Sequence, residues 1–385
     1  MRKFKKSVCL FLALVITVCA FAGCTSSNET IDLKNVTLTD EQVKDVTNTL
    51  DENLNELNFS GTVYCGINSQ DILLKSYGYK DKSESTLITD GTVYQLSSVS
   101  KIFTGIAIMQ LEAEGKIKLT DTLDKYLSSY GNYSYLKNIT VKSLLEMTSG
   151  FGSYLSEFAN SGKAYKKVCK KLRKNQFNYK VNGDITSYIL SKGTPHDYGE
   201  YHYSNSGYFL LGKIIGSFSD GGYQGYITDN IITPLKLKNT NFVYAKSDTT
   251  GYNESTENWI SSANSLYLNN FYILFSSMGI ESTAEDLNTL IDAILNNEIA
   301  DGVDCLSKIK SGDTKFNYGF YVNGNILSTQ GTSDVHSSYI YIDTDRMIKS
   351  IVLSNHIGID NFDQYGKTVY NAVNAKLNGM LIDNA

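Results

Sequence analysis

Arginine, proline, cysteine and clustered positive charge are all scarce in this chain of 385 residues. Arg2, Arg173 and Arg346 stand against 32 lysines, and there are two prolines, a bias of the kind AT-rich bacterial genomes produce. The lysines are scattered and the net charge is −5, so no basic stripe offers itself to a nucleic acid. Past Cys24 the chain holds Cys65, Cys169 and Cys305. They are far apart and odd in number, which argues against a disulfide framework and against metal-ligand spacing. Cys65 lies in a strand-like run and reads as a buried thiol. No metal or organic cofactor is implied. Internal repeats and long low-complexity stretches are also missing.

Hydrophobic residues make up 42% of the chain, enough for a sizeable core. The length suits two or three domains or one large α/β domain. Residues 1–23 stand apart. Arg2, Lys3, Lys5 and Lys6 precede an apolar run from Val8 to Phe21, and Ala22-Gly23-Cys24 follows. This is the pattern of an export signal, and the run is too short to read as a spanning helix. The Phe-Ala-Gly-Cys ending resembles a bacterial lipoprotein box, which implies lipidation of Cys24 and an anchor on the outer face of the cytoplasmic membrane. Loss of residues 1–23 removes four basic residues and no acidic ones, taking the charge from −5 to −9. Residues 24–38 then read as a polar tether.

The remainder, 39–385, changes character along its length. Thr39 and Gln42 have capping-box spacing before a helix that runs to about Leu57. FSGTVYCGI (59–67) and ILLKSYGYK (72–80) read as a hairpin around Asn68–Asp71. From about 116 to 315 the pattern is mostly helical, broken by polar loops. YGFYVNG (318–324), SYIYID (338–343) and IKSIVLSN (348–355) read as strands, and a helix follows over about 361–377. Strands at both ends with helices between predict an α/β (α+β) fold. One antiparallel sheet is built from both chain ends (39–97 and 315–385). Terminal helices cover one face, and a mainly helical insertion (98–314) lies beside the other. A small-molecule cleft is expected at the seam.

Chemistry concentrates at QLSSVSKIFTGIAIMQLEAEGK (95–116). Ser98 and Lys101 are one helical turn apart and share a face. Ser-x-x-Lys recurs at Ser134/Lys137 and Ser307/Lys310, but only the first copy opens a long apolar helix. A serine in that place is most often a cap. It is a nucleophile if a base takes its proton, and a desolvated lysine one turn on can do so. YHYSNSGYFLLGKIIG (201–216) adds Tyr203 and Asn205 ahead of another apolar helix. A phenol can relay protons, and an amide can hydrogen-bond a substrate carbonyl.

Five segments, in order, resemble the serine β-lactamase and penicillin-binding-protein superfamily in its class C-like and esterase-like branch. They are SSVSKIFTGIAIMQLEAEGKIKLTDTLDKYL, ITVKSLLEMTSGF, YHYSNSGYFLLGKII, ITPLKLKNTNF and MGIESTAEDL, and the resemblance spans about residues 58–380. It implies the same two-part fold with the site between the parts. It also implies Ser98 as the acylated nucleophile, Lys101 as its proton partner, Tyr203 as base or relay, and Asn205 as a contact to substrate and Lys101. Whether lysine or tyrosine takes the first proton stays open.

The chain departs from the family at its third element. Where the family has Lys-Thr-Gly or His-x-Gly on the cleft strand, this chain reads Thr329-Gln330-Gly331. Gly331 keeps the close backbone approach, and the Thr332 N–H is the expected second oxyanion donor. Thr329 brings no charge for a β-lactam carboxylate. His336 stands where the family has an apolar residue, as either a substrate donor or a polar residue at the sheet edge. Met147 replaces a family histidine, and His202 adjoins Tyr203. The leading expectation is a lipid-anchored serine hydrolase of peptidase, esterase or weak β-lactamase type, acting on a small-molecule or peptide acyl substrate. The alternative is a catalytically weak or inactive surface protein that binds peptidoglycan or a partner.

Overall fold

A computed structural model describes residues 36–81, 85–156, 180–242, 250–253, 258–260, 271–357 and 363–383. The signal-like segment 1–23, Cys24 and Cys169 lie outside the described residues. Helix α1 spans Asp40–Glu56. The Thr39 hydroxyl accepts the Gln42 N–H, and the Gln42 side chain accepts the Thr39 N–H. That reciprocal cap is the expected one, and Val46, Leu50 and Leu54 form its buried stripe.

Strands β1 (Gly61–Ile67) and β2 (Gln70–Tyr77) form the expected hairpin. Its turn is tighter than the polar run suggests: Gln70 already pairs with Ile67, leaving Asn68 and Ser69 at the tip. Asn68 sits at φ 52°, a conformation asparagine tolerates. The C-terminal end supplies β3 (Phe316–Asn317), β4 (Phe320–Asn323), β5 (Ile326–Thr332), β6 (Ser337–Asp343) and β7 (Ile348–Ser354). The seven strands run in the order β2-β1-β7-β6-β5-β4-β3, every pair antiparallel. β1 and β7 pair across nearly the whole length of the chain and are buried at every residue, so the two ends meet inside the sheet.

Each face has its own core. On one, α1 and the C-terminal helix α6 (Asp363–Asp383) pack Leu50, Leu54, Val369 and Val373 against Val63, Cys65 and Val352. Cys65 is fully buried as a free thiol, and burial pushes its pKa up to about 12. The other face carries the larger core, with α2 (Lys101–Ala113), α3 (Asn205–Gly216) and α5 (Ala284–Leu295). Between the last two, α4 (Phe271–Met278) breaks at Phe275, with φ 41° and ψ −132°. Helix α2 is buried from Lys101 to Met109 on all sides, as a central core helix should be.

Two features were not visible in the hydrophobic pattern. The insertion contains strands of two or three residues that pair with short strands from outside it: Tyr94–Gln95 with Ile280–Ser282 and Asn241–Phe242 in one small sheet, and His356–Ile357 with Gly251–Asn253 and Asn258–Ile260 in another. Segments this short carry no readable period. Helix α6 also continues beyond 377, to Asp383. Among the described residues no helix is long and apolar enough to cross a membrane.

The contact between α6 and the sheet yields a stability test. A Cβ on Gly366 would lie 1.9 Å from Cδ1 of the buried Tyr339 ring on β6. Gly366→Ala gains about 1 kcal/mol of helix propensity, but forced overpacking costs about 1–3 kcal/mol. Net destabilisation is expected: a lower melting temperature with an unchanged far-UV circular dichroism spectrum. A higher melting temperature would show that this face is loosely packed.

Candidate active site

The chain enters the site along the short strand Tyr94–Gln95 and turns sharply. Ser97 takes φ 49°, and a 3-10 turn over Ser97–Ser100 leads into α2. No side chain caps either helical segment, so the Ser98 hydroxyl is not spent on an N-cap bond. It is instead held from two sides. The Tyr203 hydroxyl donates to Ser98 Oγ at 2.8 Å, and Lys101 Nζ lies 3.1 Å from the same oxygen. The expected meeting of alcohol, amine and phenol is therefore present, from segments more than a hundred residues apart.

Tyr203 and Asn205 are placed by one capping event. Ser204 between them is the N-cap of α3, accepting the Gly207 N–H at 3.2 Å, and its hydroxyl donates to Gly152 O at 3.1 Å. Asn205 thus opens the helix and turns toward Lys101, while Tyr203 sits just before it. The loop leading to Tyr203 is laced to residues 147–150: His196 N–H to Gly150 O, Gly199 N–H to Thr148 O and His202 N–H to Met147 O. Met147 itself takes φ 58° and is buried, so this residue serves the backbone turn that holds the loop. His202 stacks on His196 with ring centroids 4.2 Å apart, on the half-exposed side of the loop.

Lys101 is fully buried. Besides Ser98 it donates to Asn205 Oδ1 at 2.8 Å and to the Ser277 carbonyl at 2.9 Å. Asn205 Nδ2 donates to Ser153 Oγ, which fixes the amide with its oxygen toward the lysine. None of these partners carries a formal charge. Burial alone drives the Lys101 pKa well below the ordinary lysine value. A neutral amine has two N–H groups and one lone pair. Asn205 Oδ1 and Ser277 O can only accept and take both protons, so the lone pair is left for the Ser98 hydroxyl. The faces of Tyr203 and Tyr208 flank Nζ at 5.1 and 5.7 Å from the ring centroids. Tyr203 moves the other way: burial raises its pKa, the neighbouring Tyr321 adds to this, and the bond to Ser98 only partly offsets it. At neutral pH the phenol keeps its proton.

Strand β5 forms the opposite wall. A Cβ on Gly331 would lie 2.2 Å from Leu96 O and 2.8 Å from Ser98 N, so only glycine lets the strand pass so close to the nucleophile turn. Strand alternation then fixes the rest. Thr329 shares the Gly331 face and is buried, while Gln330 and Thr332 are exposed on the other. Gln330 is thus exposed on the face of the strand opposite to Gly331. For Thr332 the expectation concerns only the backbone N–H.

His336 needs correction as a substrate donor. It is fully buried, its Nδ1 accepts the Gln95 N–H at 2.9 Å, and its ring packs edge-on against Tyr94 at 5.4 Å. A ring so enclosed offers nothing to a ligand. The residues missed from the sequence are the Ser277 carbonyl and Ser153. Ser277 immediately precedes the quoted MGIESTAEDL segment and Ser153 follows TSGF, but neither letter announces a lysine partner.

The chain is similar to known proteins. The Beta-lactamase family profile matches residues 46–373. Protein flp of Staphylococcus aureus strain MW2 is 35% identical over 193 residues, which is 48% of this chain and 36% of that protein. The matched region thus spans little more than a third of that relative's length. Among solved structures, FmtA from Staphylococcus aureus superposes with a TM-score of 0.71 at 22% identity, over 89% of this chain and 90% of the other. The D-amino acid amidase from Ochrobactrum anthropi SV3, in complex with D-phenylalanine, also gives 0.71, at 15% identity over 89% and 100%. At those identities the two structures speak for the fold alone. The profile reaches from inside the first capped helix to inside the last, across both halves of the sheet and every residue around Ser98, and on that match the chain belongs to the Beta-lactamase family.

Proposed function

We propose that the protein is an exported, lipid-anchored serine hydrolase that works through an acyl-enzyme on Ser98. The observation that carries the reading is the double approach to one hydroxyl: a buried, charge-depleted amine and a protonated phenol both within hydrogen-bond distance of Ser98 Oγ. The export and anchoring part rests on residues 1–24 of the sequence.

In this reading Ser98 Oγ attacks the substrate carbonyl carbon while Lys101 takes the hydroxyl proton. The ammonium so formed keeps Asn205 Oδ1 and Ser277 O as acceptors, and the two flanking ring faces favour it by about 1–2 kcal/mol. The oxyanion falls between the N–H groups of Ser98 and Thr332, a type of contact whose loss costs about 10²–10³ in kcat. Tyr203 gives its proton to the leaving oxygen or nitrogen and takes back the proton that Lys101 received from Ser98. Water then enters, and the same groups run in reverse to release the acid.

Thr329 steers the choice of substrate. The cleft strand offers no cation for a β-lactam carboxylate, which favours small esters, D-amino-acyl amides and cell-wall D-peptides over β-lactams. The fold shared with a D-amino acid amidase supports trying amides of that kind. The same threonine favours the reading of a weak or inactive binding protein. Against it stands the fully built Ser98-Lys101-Tyr203-Asn205 contact set, for which a binding role has no use.

The test is to incubate purified protein with a reporter ester, D-amino-acyl amides, nitrocefin and a labelled penicillin, and to look for a Ser98 adduct by mass spectrometry. Ester or amide turnover is expected to exceed that of nitrocefin and to vanish in Ser98→Ala. Absence of any adduct or turnover would move the protein to the binding alternative. Lys101→Met should lower kcat by about 10²–10⁴ with the fold retained. The pH profile follows from the two pKa directions. With Lys101 lowered, kcat/KM rises with pH as the amine loses its proton. With Tyr203 raised, the decline is held to the alkaline side. A wild-type profile that falls from acid toward neutral pH would contradict these roles.

A further inference from the structure

The strand before the nucleophile is tied to β6 by side chains. Two residues of the β6 region bond to consecutive residues of the entering strand: His336 Nδ1 accepts the Gln95 N–H at 2.9 Å, and Ser338 Oγ donates to Leu96 O at 2.7 Å. On the far side the same short strand is held by backbone pairing to Ile280–Ser282. His336 is itself fixed by a tight turn. Its N–H donates to Ser333 Oγ at 2.9 Å, and its carbonyl accepts the Ser333 N–H at 2.8 Å. That turn directly follows Gly331 and Thr332 on β5. One imidazole therefore links the segment that presents Ser98 to the segment that carries the opposite oxyanion donor.

We propose that His336 is a positioning residue which sets the gap between the Ser98 turn and β5, and which does so only while its Nδ1 is unprotonated. The inference rests on the hydrolase reading of the same site. Ser97 at φ 49° leaves the turn dependent on its neighbours for its shape. An imidazolium would set an N–H against the Gln95 N–H, in a place closed to water, so protonation breaks the tether. Among the described residues, the titratable side chains on the surrounding elements are Tyr94 against the ring, Glu281 opposite Gln95 on the paired strand, Asp334 on the same turn as His336, and Tyr252 beside Gly251, which lies against Val335. The pH effect is accordingly assigned by substitution at His336.

Asparagine is the informative replacement, because its Oδ1 reaches the position of Nδ1 and accepts without titrating. Leucine fills the space and accepts nothing. Three proteins, wild type, His336→Asn and His336→Leu, are compared by ester kinetics, by the rate at which a fluorophosphonate labels Ser98, and by melting temperature from pH 7.5 to 5.5. His336→Leu is expected to lose at least tenfold in kcat and in labelling rate, with KM within threefold. His336→Asn is expected to keep at least a third of both. An imidazole held unprotonated in the fold makes stability fall as pH drops through the ordinary histidine value, since only the unfolded chain then binds the proton. Wild type should therefore lose more melting temperature between pH 7.5 and 5.5 than His336→Asn does. Full kcat and labelling in His336→Leu, equal loss in both variants, or the same melting shift in wild type and His336→Asn would each overturn the proposal. If wild type is neither acylated nor labelled, the hydrolase reading fails, and the melting comparison alone decides whether the tether needs an unprotonated ring.

Discussion

A lysine amine enclosed among uncharged partners is the constraint on which the site depends. Lys101 has no exposed surface, and its three close partners are a hydroxyl, an amide oxygen and a backbone carbonyl. Water is shut out and no carboxylate compensates, so the neutral form is preferred. That preference lowers the lysine's pKa and lets the amine act as a base. Each neighbouring element serves it: α3 brings Asn205, α4 ends on the Ser277 carbonyl, and the ring faces of Tyr203 and Tyr208 close the sides.

The sheet makes this enclosure possible. β1 and β7 bring the two ends of the chain together within it, and the insertion between them is folded back over one face. The seam so created places α2, buried on all sides, with its first turn against β5. Gly331 allows the two backbones to touch, and Ser338 and His336 hold the incoming strand in place. The site lies where independent elements converge, and none of them makes it alone.

Much of this was legible beforehand, for definite reasons. The Ser98/Lys101 spacing, the capping box at Thr39 and Gln42, and the placing of Tyr203 and Asn205 ahead of an apolar helix are local, and local geometry is written in letters. The sheet was legible because strand patterns occur only near the two ends. What escaped was the direction in which side chains point. ILSTQGT, the sequence of β5, has no clean apolar alternation, because its inner face meets a polar site and the glycine that passes it. Hence Gln330 and Thr329 could not be assigned to faces, and His336 was left between a substrate donor and a sheet-edge residue when it is fully buried. The Ser277 carbonyl could not be found at all, since every residue carries one and only tertiary packing selects it.

The central claim is that burial holds the Lys101 pKa well below the ordinary lysine value. The direct measurement is a pH titration of the lysine side chains by 13C-detected NMR at Cε, with the Lys101 resonance identified by its loss in Lys101→Met. This one signal is expected to titrate well below the ordinary lysine value of about 10.4. A Lys101 signal that stays in the ammonium position past pH 9 would contradict it and remove the base from the site.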